Sequence, residues 1–120
     1  MESRLERQLK KGVLEMLVLR LLCRRPSHGY QLLARMDQGS GGMFRLKEGT
    51  LYPILYRLED DGLIATAWQM DGRTAPKKVY TVTEAGRIAA REQQALWRRF
   101  ADCVDTFDEK EGAQDGGKTG

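Results

Sequence analysis

Histidine and cysteine, the residues that most often hold metals or form disulfides, are nearly absent from this chain. Among its 120 residues are one histidine, His28, and two cysteines, Cys23 and Cys103. Two cysteines so far apart in sequence provide neither the spacing of a zinc site nor a disulfide framework. We therefore expect no metal or other cofactor, and a reducing compartment such as the cytoplasm.

Long hydrophobic runs are also missing. The most apolar stretch, residues 13–23, is interrupted by Glu15 and Arg20 and is too short to cross a bilayer. The first residues are charged and do not resemble a signal peptide. We expect a cytoplasmic protein that does not bind membranes.

Recognisable catalytic motifs are absent as well. The sequence contains no nucleophile elbow, no paired-carboxylate motif and no glycine-rich phosphate loop. A single histidine leaves few options for acid–base chemistry. We predict that the protein is not an enzyme.

Charge is distributed unevenly along the chain. Residues 101–120 contain six acidic and two basic side chains, whereas residues 1–100 contain 18 basic and 11 acidic ones. A basic body with an acidic end is typical of proteins that meet a polyanion, although many basic domains bind nothing charged.

Periodicity predicts a mainly α protein with a β-hairpin. Helical spacing of apolar residues indicates a first helix over 5–24, a second that follows Ser27 as its N-cap and runs to 38, and a third over 48–61. Alternating residues predict strands over 63–69 and 77–82, and Thr83 begins a long last helix. The predicted divisions are a winged helix-turn-helix over 1–82, a C-terminal helix over 83–108 and a disordered tail over 109–120. The same order of elements also fits a small α+β domain of another function.

Three sequence stretches resemble the signatures of PadR-type transcriptional regulators. They are Ser27-His28-Gly29-Tyr30, residues 48–64 beginning Glu48-Gly49-Thr50-Leu51-Tyr52-Pro53, and residues 77–86. The single C-terminal helix resembles the compact subgroup of that family. The resemblance implies a homodimeric winged helix-turn-helix repressor in a bacterial cytoplasm, often responsive to a small molecule. The Lys47-Glu48 pair departs from the pattern of many relatives, and this departure concerns the local base contacts and not the fold.

The third helix is expected to enter the major groove of double-stranded DNA. Its apolar residues Leu51, Ile54, Leu55 and Leu58 face the core, which leaves one side free for DNA. The predicted contact residues of this helix and its N-terminus are Lys47, Gly49, Thr50, Tyr52, Pro53 and Arg57. Two alternatives stay open, because Tyr52 also suits a half-buried packing position and Arg57 also suits a solvated surface.

Further DNA contacts are expected outside the third helix. Arg73, Lys77 and Lys78 bring three positive charges to the predicted wing, which also fits a solvated hairpin. The resemblance implies a phosphate contact for the hydroxyl of Tyr30. We expect His28 to cap or pack, and Tyr80 to anchor the hairpin on the helices.

The last helix predicts a homodimer. Its apolar stripe is longer than one small body can cover, so a second copy should bury it. The expected interface residues are Leu9, Leu96, Trp97, Phe100, Val104 and Phe107.

Trp97 is also a candidate contact for an aromatic small-molecule effector. The resemblance implies such a pocket in some compact relatives, where an indole holds planar ligands by stacking. Simple packing in the dimer core is the alternative, and the neighbouring Arg98 and Arg99 would repel cationic ligands.

The alternative function is a winged-helix module that binds a protein and not DNA. Basic residues at the third helix and the wing favour DNA.

Overall fold

The structure, a computed structural model, describes residues 2–112. The helices are α1 (Arg4–Lys10), α2 (Val13–Arg24), α3 (Gly29–Gly39), α4 (Glu48–Asp60) and α5 (Glu84–Asp105). The strands are β1 (Ser27–His28), β2 (Ile64–Gln69) and β3 (Lys77–Val82), which form an antiparallel sheet in the order β1-β3-β2. This is the winged helix α+β fold that the sequence predicts.

The predicted first helix is two helices. Lys11 and Gly12 separate α1 from α2, and Gly12 has a φ of 80°. Glycine adopts this left-handed conformation at little cost, so the chain turns there although the apolar spacing continues through it. The prediction of one helix over 5–24 is therefore wrong at this point.

A second difference concerns the start of α3. Ser27 pairs with Tyr80 and His28 pairs with Val79, so these two residues form the third strand of the sheet. The N-cap of α3 is His28, whose side chain accepts a hydrogen bond from the N–H of Gln31. The capping role expected of His28 is confirmed, and the prediction that Ser27 is the cap is wrong because β3 binds it.

The core lies between the helices and the sheet. Leu51, Ile54, Leu55 and Leu58 of α4 are buried, as predicted, against α2, α3 and the sheet. Asp60 ends α4, and Gly62 follows with a φ of 75°, which suits the predicted left-handed end of the helix. Tyr80 is 2% exposed and anchors the hairpin, as predicted.

Arg35 fastens α3 to the end of α2. Its guanidinium donates to the carbonyl of Leu21 at 2.9 Å and to the hydroxyl of the buried Ser27 at 2.7 Å. Burial, and then the charges of Arg25 and Arg24, lower the pKa of Arg35. These bonds connect α3 with β1 and with the end of α2.

The chain divides into two compact units, residues 1–90 and residues from 91 onward. The first two turns of α5 belong to the first unit, because Ala89 and Ala90 pack on its core and Gly86 is buried there. Helical backbone continues at 107–112, which includes the first four residues of the predicted tail. The rest of that predicted tail, 113–120, lies outside the described residues.

Candidate nucleic-acid interface

The exposed side of α4 carries the four residues that the sequence predicts there. Gly49, Thr50, Pro53 and Arg57 are all exposed, and together we call them the reading face. The opposite side of α4 is buried in the core through Leu51, Ile54, Leu55 and Leu58. The reading face therefore points away from the core. Lys47 is exposed at the N-cap, and its carbonyl accepts from the N–H groups of Thr50 and Leu51.

A cleft of about 290 Å³ brings the reading face together with the turn between α1 and α2. We call it the α2–α4 cleft. Its lining includes the whole reading face and, from the other side, Lys10, Lys11, Gly12, Leu14 and Glu15. Lys10, Lys11 and Glu15 were not predicted as site residues, because nothing local in the sequence connects them with α4.

Arg57 is paired within this cleft. Its Nε and Nη2 atoms both lie 3.5 Å from the Oε2 atom of Glu15. The two side chains are 57% and 29% exposed, so water reaches the pair. Arg57 is thus on the expected surface, but it faces a carboxylate of its own chain.

A larger cleft, of about 610 Å³, lies between the wing and the helices and is called the wing cleft here. It gathers the predicted residues Tyr30, Tyr52, Lys77 and Lys78. Tyr56 and the buried Tyr80 also line it, together with His28, Gly29, Thr74, Ala75 and Pro76. Tyr56 was not predicted as a site residue, although its position four residues after Tyr52 puts both rings on one side of α4.

The tyrosines of the wing cleft differ in exposure. Tyr30 is 72% exposed and Tyr56 is 55% exposed, so both hydroxyls are available to a partner. Tyr52 is half-buried, and its hydroxyl packs on Gly29, where a Cβ atom would collide with it. Burial, and then the neighbouring Glu48, raise the pKa of Tyr52. The hydroxyl of Tyr52 therefore stays a neutral donor near pH 7.

The tip of the wing is held by Asp71. Its carboxylate accepts from the backbone N–H groups of Arg73 and Thr74, each at 2.9 Å, and these bonds lower its pKa. Arg73 and Lys77 are exposed, whereas Lys78 is half-buried with its Nζ atom 5.7 Å from the centre of the Tyr80 ring. The wing thus presents three cations, Arg73 on this turn and Lys77 and Lys78 at the start of β3.

The residues predicted for a dimer interface are exposed in the single chain. In the second unit, Leu96 is 52% exposed, Phe100 63%, Val104 71% and Phe107 62%. Trp97, the candidate effector contact, is 43% exposed. In the first unit, Leu9 of α1 is 67% exposed.

Among residues 2–112, no helix has both the length and the apolar composition that would span a membrane.

Comparison with known proteins identifies the family. Residues 18–92 match the family described as Transcriptional regulator PadR-like. A transcriptional regulator of Mycobacterium tuberculosis is 33% identical over 96 residues, which are 79% of this chain and 85% of that protein. The negative transcriptional regulator PadR of Bacillus subtilis is 31% identical over 75 residues, which cover 62% of this chain and 41% of that protein.

A solved structure supports the same assignment. The crystal structure of a PadR family transcriptional regulator from Eggerthella lenta is similar with a TM-score of 0.75 and 36% identity, and the match covers 85% of this chain and 87% of that one. The residues that match the family, 18–92, include α3, α4 and the wing. The chain belongs to the PadR-like family of transcriptional regulators.

Proposed function

We propose that this regulator binds double-stranded DNA, with the reading face of α4 in the major groove and the wing on the adjacent backbone. The observation that carries the proposal is that the first compact unit presents both an exposed helix face on α4 and three cations on its hairpin. Major-groove base edges present the hydrogen-bonding code that Thr50 can read, and phosphates match Arg73, Lys77 and Lys78.

Gly49 and Tyr30 extend this proposed surface. No atom lies within 4 Å of a Cβ placed on Gly49, and glycine has no side chain, so the backbone at this position is open to the close approach of a partner. Tyr30 lines the wing cleft and is largely exposed, so a phosphate oxygen can accept a hydrogen bond from its hydroxyl. The contacts of Lys47, Tyr52 and Pro53 belong to the same proposal.

The test is a salt-dependent titration against the DNA upstream of the chain's own gene, with shuffled DNA of equal length as the control. We expect binding to the first to be tighter by about a thousandfold or more, as for other specific regulators. Lys78→Ala should weaken binding to both DNAs and reduce the salt slope by about one unit. Failure to bind either DNA at low salt would refute the proposal and favour a protein-binding module.

Repression by a homodimer is the second part of the proposal. The exposed stripe of Leu96, Phe100, Val104 and Phe107 spaces apolar side chains by three or four residues, which is the pattern of a helix that packs on another. Exposed Leu9 adds apolar surface on α1. A two-fold dimer would bind an inverted repeat and occlude a promoter. The relative from Bacillus subtilis is itself named a negative regulator.

Sedimentation tests the dimer separately from DNA binding. We expect twice the chain mass at micromolar concentration, and Trp97→Ala should shift the equilibrium toward single chains. A mass of one chain would contradict this part of the proposal.

Release by an aromatic small molecule stacked on Trp97 is the third part. Stacking on an indole changes its fluorescence, so a panel of aromatic compounds should quench or shift Trp97 emission and weaken DNA binding. Because Trp68 also emits, the assay needs a Trp68→Phe background. Emission that ignores the whole panel would contradict an effector site at Trp97.

A further inference from the structure

The cations of the proposed DNA interface fall into two groups. In the α2–α4 cleft, Arg57 is paired with Glu15, and Lys10 is paired with Glu2. In the wing, Arg73, Lys77 and Lys78 form no ion pair within the part of the chain that the structure describes. Arg57 and Lys10 are therefore neutralised by carboxylates of the same chain, whereas Lys11, Lys47 and the three cations of the wing have no ion pair among the described residues.

We infer that Glu15 is an attenuating residue, which neutralises Arg57 and so lowers the sequence-independent affinity for DNA. The inference rests on the proposed DNA-binding function and concerns the strength of phosphate contacts at that site. Glu15 lines the same cleft as Thr50 and Pro53, so a DNA strand on the reading face would pass close to its carboxylate.

Two effects of Glu15 act in the same direction. First, an arginine that already faces a carboxylate must give up that contact before it can bind a phosphate, so it contributes little net affinity. Second, the carboxylate repels phosphates within about a Debye length, which is about 8 Å at physiological salt. Removal of the charge at Glu15 should therefore strengthen binding to every DNA sequence.

The geometry of the pair favours attenuation over positioning of Arg57. Both nitrogen atoms approach one oxygen at 3.5 Å, which is longer than the distances of a strong bidentate pair. Arg57 is more than half exposed, so this contact does not lock its side chain. A positioning role would need short bonds and a buried carboxylate.

The experiment compares Glu15→Gln, Arg57→Gln and the double variant in the full chain, by titration of upstream and shuffled DNA over a salt series. We expect Glu15→Gln to tighten both complexes by about threefold to tenfold, with a salt slope steeper by up to about one unit. Arg57→Gln alone should weaken both complexes, because it leaves the carboxylate of Glu15 without its partner close to the DNA. The gain from Glu15→Gln should be largely lost in the double variant.

Two matched controls accompany these variants. Asp60→Asn removes one negative charge from the exposed C-terminal end of α4, where the described residues give Asp60 no ion pair. This variant should change affinity by less than Glu15→Gln does. Lys78→Ala removes one positive charge from the wing, where the described residues give it no ion pair, and should reduce the salt slope by about one unit. Circular dichroism confirms that each variant is folded.

Each result decides the inference. Weaker binding by Glu15→Gln would show that Glu15 positions Arg57 for DNA, and unchanged binding would show that the ion pair does not affect DNA affinity. Either result would overturn the inference. The proposed function would still stand if the native chain binds the upstream DNA specifically. A native chain that binds neither DNA would refute the proposed function, and the inference would fail with it.

Discussion

Gly86→Ala tests the packing that joins the wing to α5. A Cβ at this position would lie 2.7 Å from Cγ2 of Val82 and 3.0 Å from the carbonyl carbon of Leu63, and it would collide with the carbonyl oxygen of Leu63. That oxygen cannot move freely, because it accepts a hydrogen bond from the N–H of Thr83 at 3.0 Å. The substitution therefore forces a shift of backbone and not only of a side chain.

The expected loss of stability follows from two opposing effects. Overpacking of a rigid site costs about 3 kcal/mol, the upper part of the usual range, because the obstructing atom belongs to the backbone. Replacement of glycine by alanine inside a helix returns about 1 kcal/mol. The net loss in the free energy of unfolding is about 2 kcal/mol, which lowers the Tm of a domain of this size by about 8 °C.

Thermal and urea unfolding followed by circular dichroism measure this loss. Gly49→Ala is the matched control, because it also adds a methyl group to a helical glycine but meets no atom within 4 Å. We expect the control to be as stable as the native chain or slightly more stable. If Gly86→Ala were equally stable, the close approach of α5 to Leu63 would be wrong.

Three further predictions follow from the same structure. Gly49→Ala should weaken DNA binding while it leaves the fold intact, because the added methyl group stands on the reading face; affinity equal to that of the native chain would exclude a close backbone approach there. Burial raises the pKa of Tyr80 to about 12, so an absorbance titration of the folded chain should show a tyrosine that ionises near that pH. Because a tyrosine of the unfolded chain ionises near pH 10, the free energy of unfolding should fall as the pH rises from about 10 to 12. Arg35→Ala should lower the free energy of unfolding by about 2 kcal/mol in urea, because it leaves the hydroxyl of Ser27 buried without its donor; an unchanged midpoint would show that the bond contributes nothing.

Local patterns predicted the parts of the fold that local forces determine. The stripe of Leu51, Ile54, Leu55 and Leu58 has one helical interpretation, and Gly62 supplies the left-handed residue that ends α4. The strands of the wing follow from alternation, with Asp-Gly at the tip. These elements were predicted to within one or two residues.

Elements that depend on distant partners could not be predicted in this way. β1 contains only Ser27 and His28, too few residues for any periodicity, and exists because β3 binds them. The helix break at Gly12 could not be predicted, because the apolar residues keep the same helical spacing on both sides of it. A single glycine is tolerated within many helices, so its presence alone does not predict a break.

The same distinction applies to the proposed DNA interface. The amphipathicity of α4 predicts which side chains are exposed, and the reading face is exposed as expected. It does not predict the surroundings of those side chains. Arg57 meets Glu15 from a helix 42 residues earlier in the chain, and only the packing of α2 beside α4 brings the two charges together. The number of cations on an interface is therefore a poor measure of the charge that DNA encounters, because a carboxylate from a distant segment can neutralise any one of them. For this chain the wing, and not the basic residue of α4, should account for most of the salt dependence of binding.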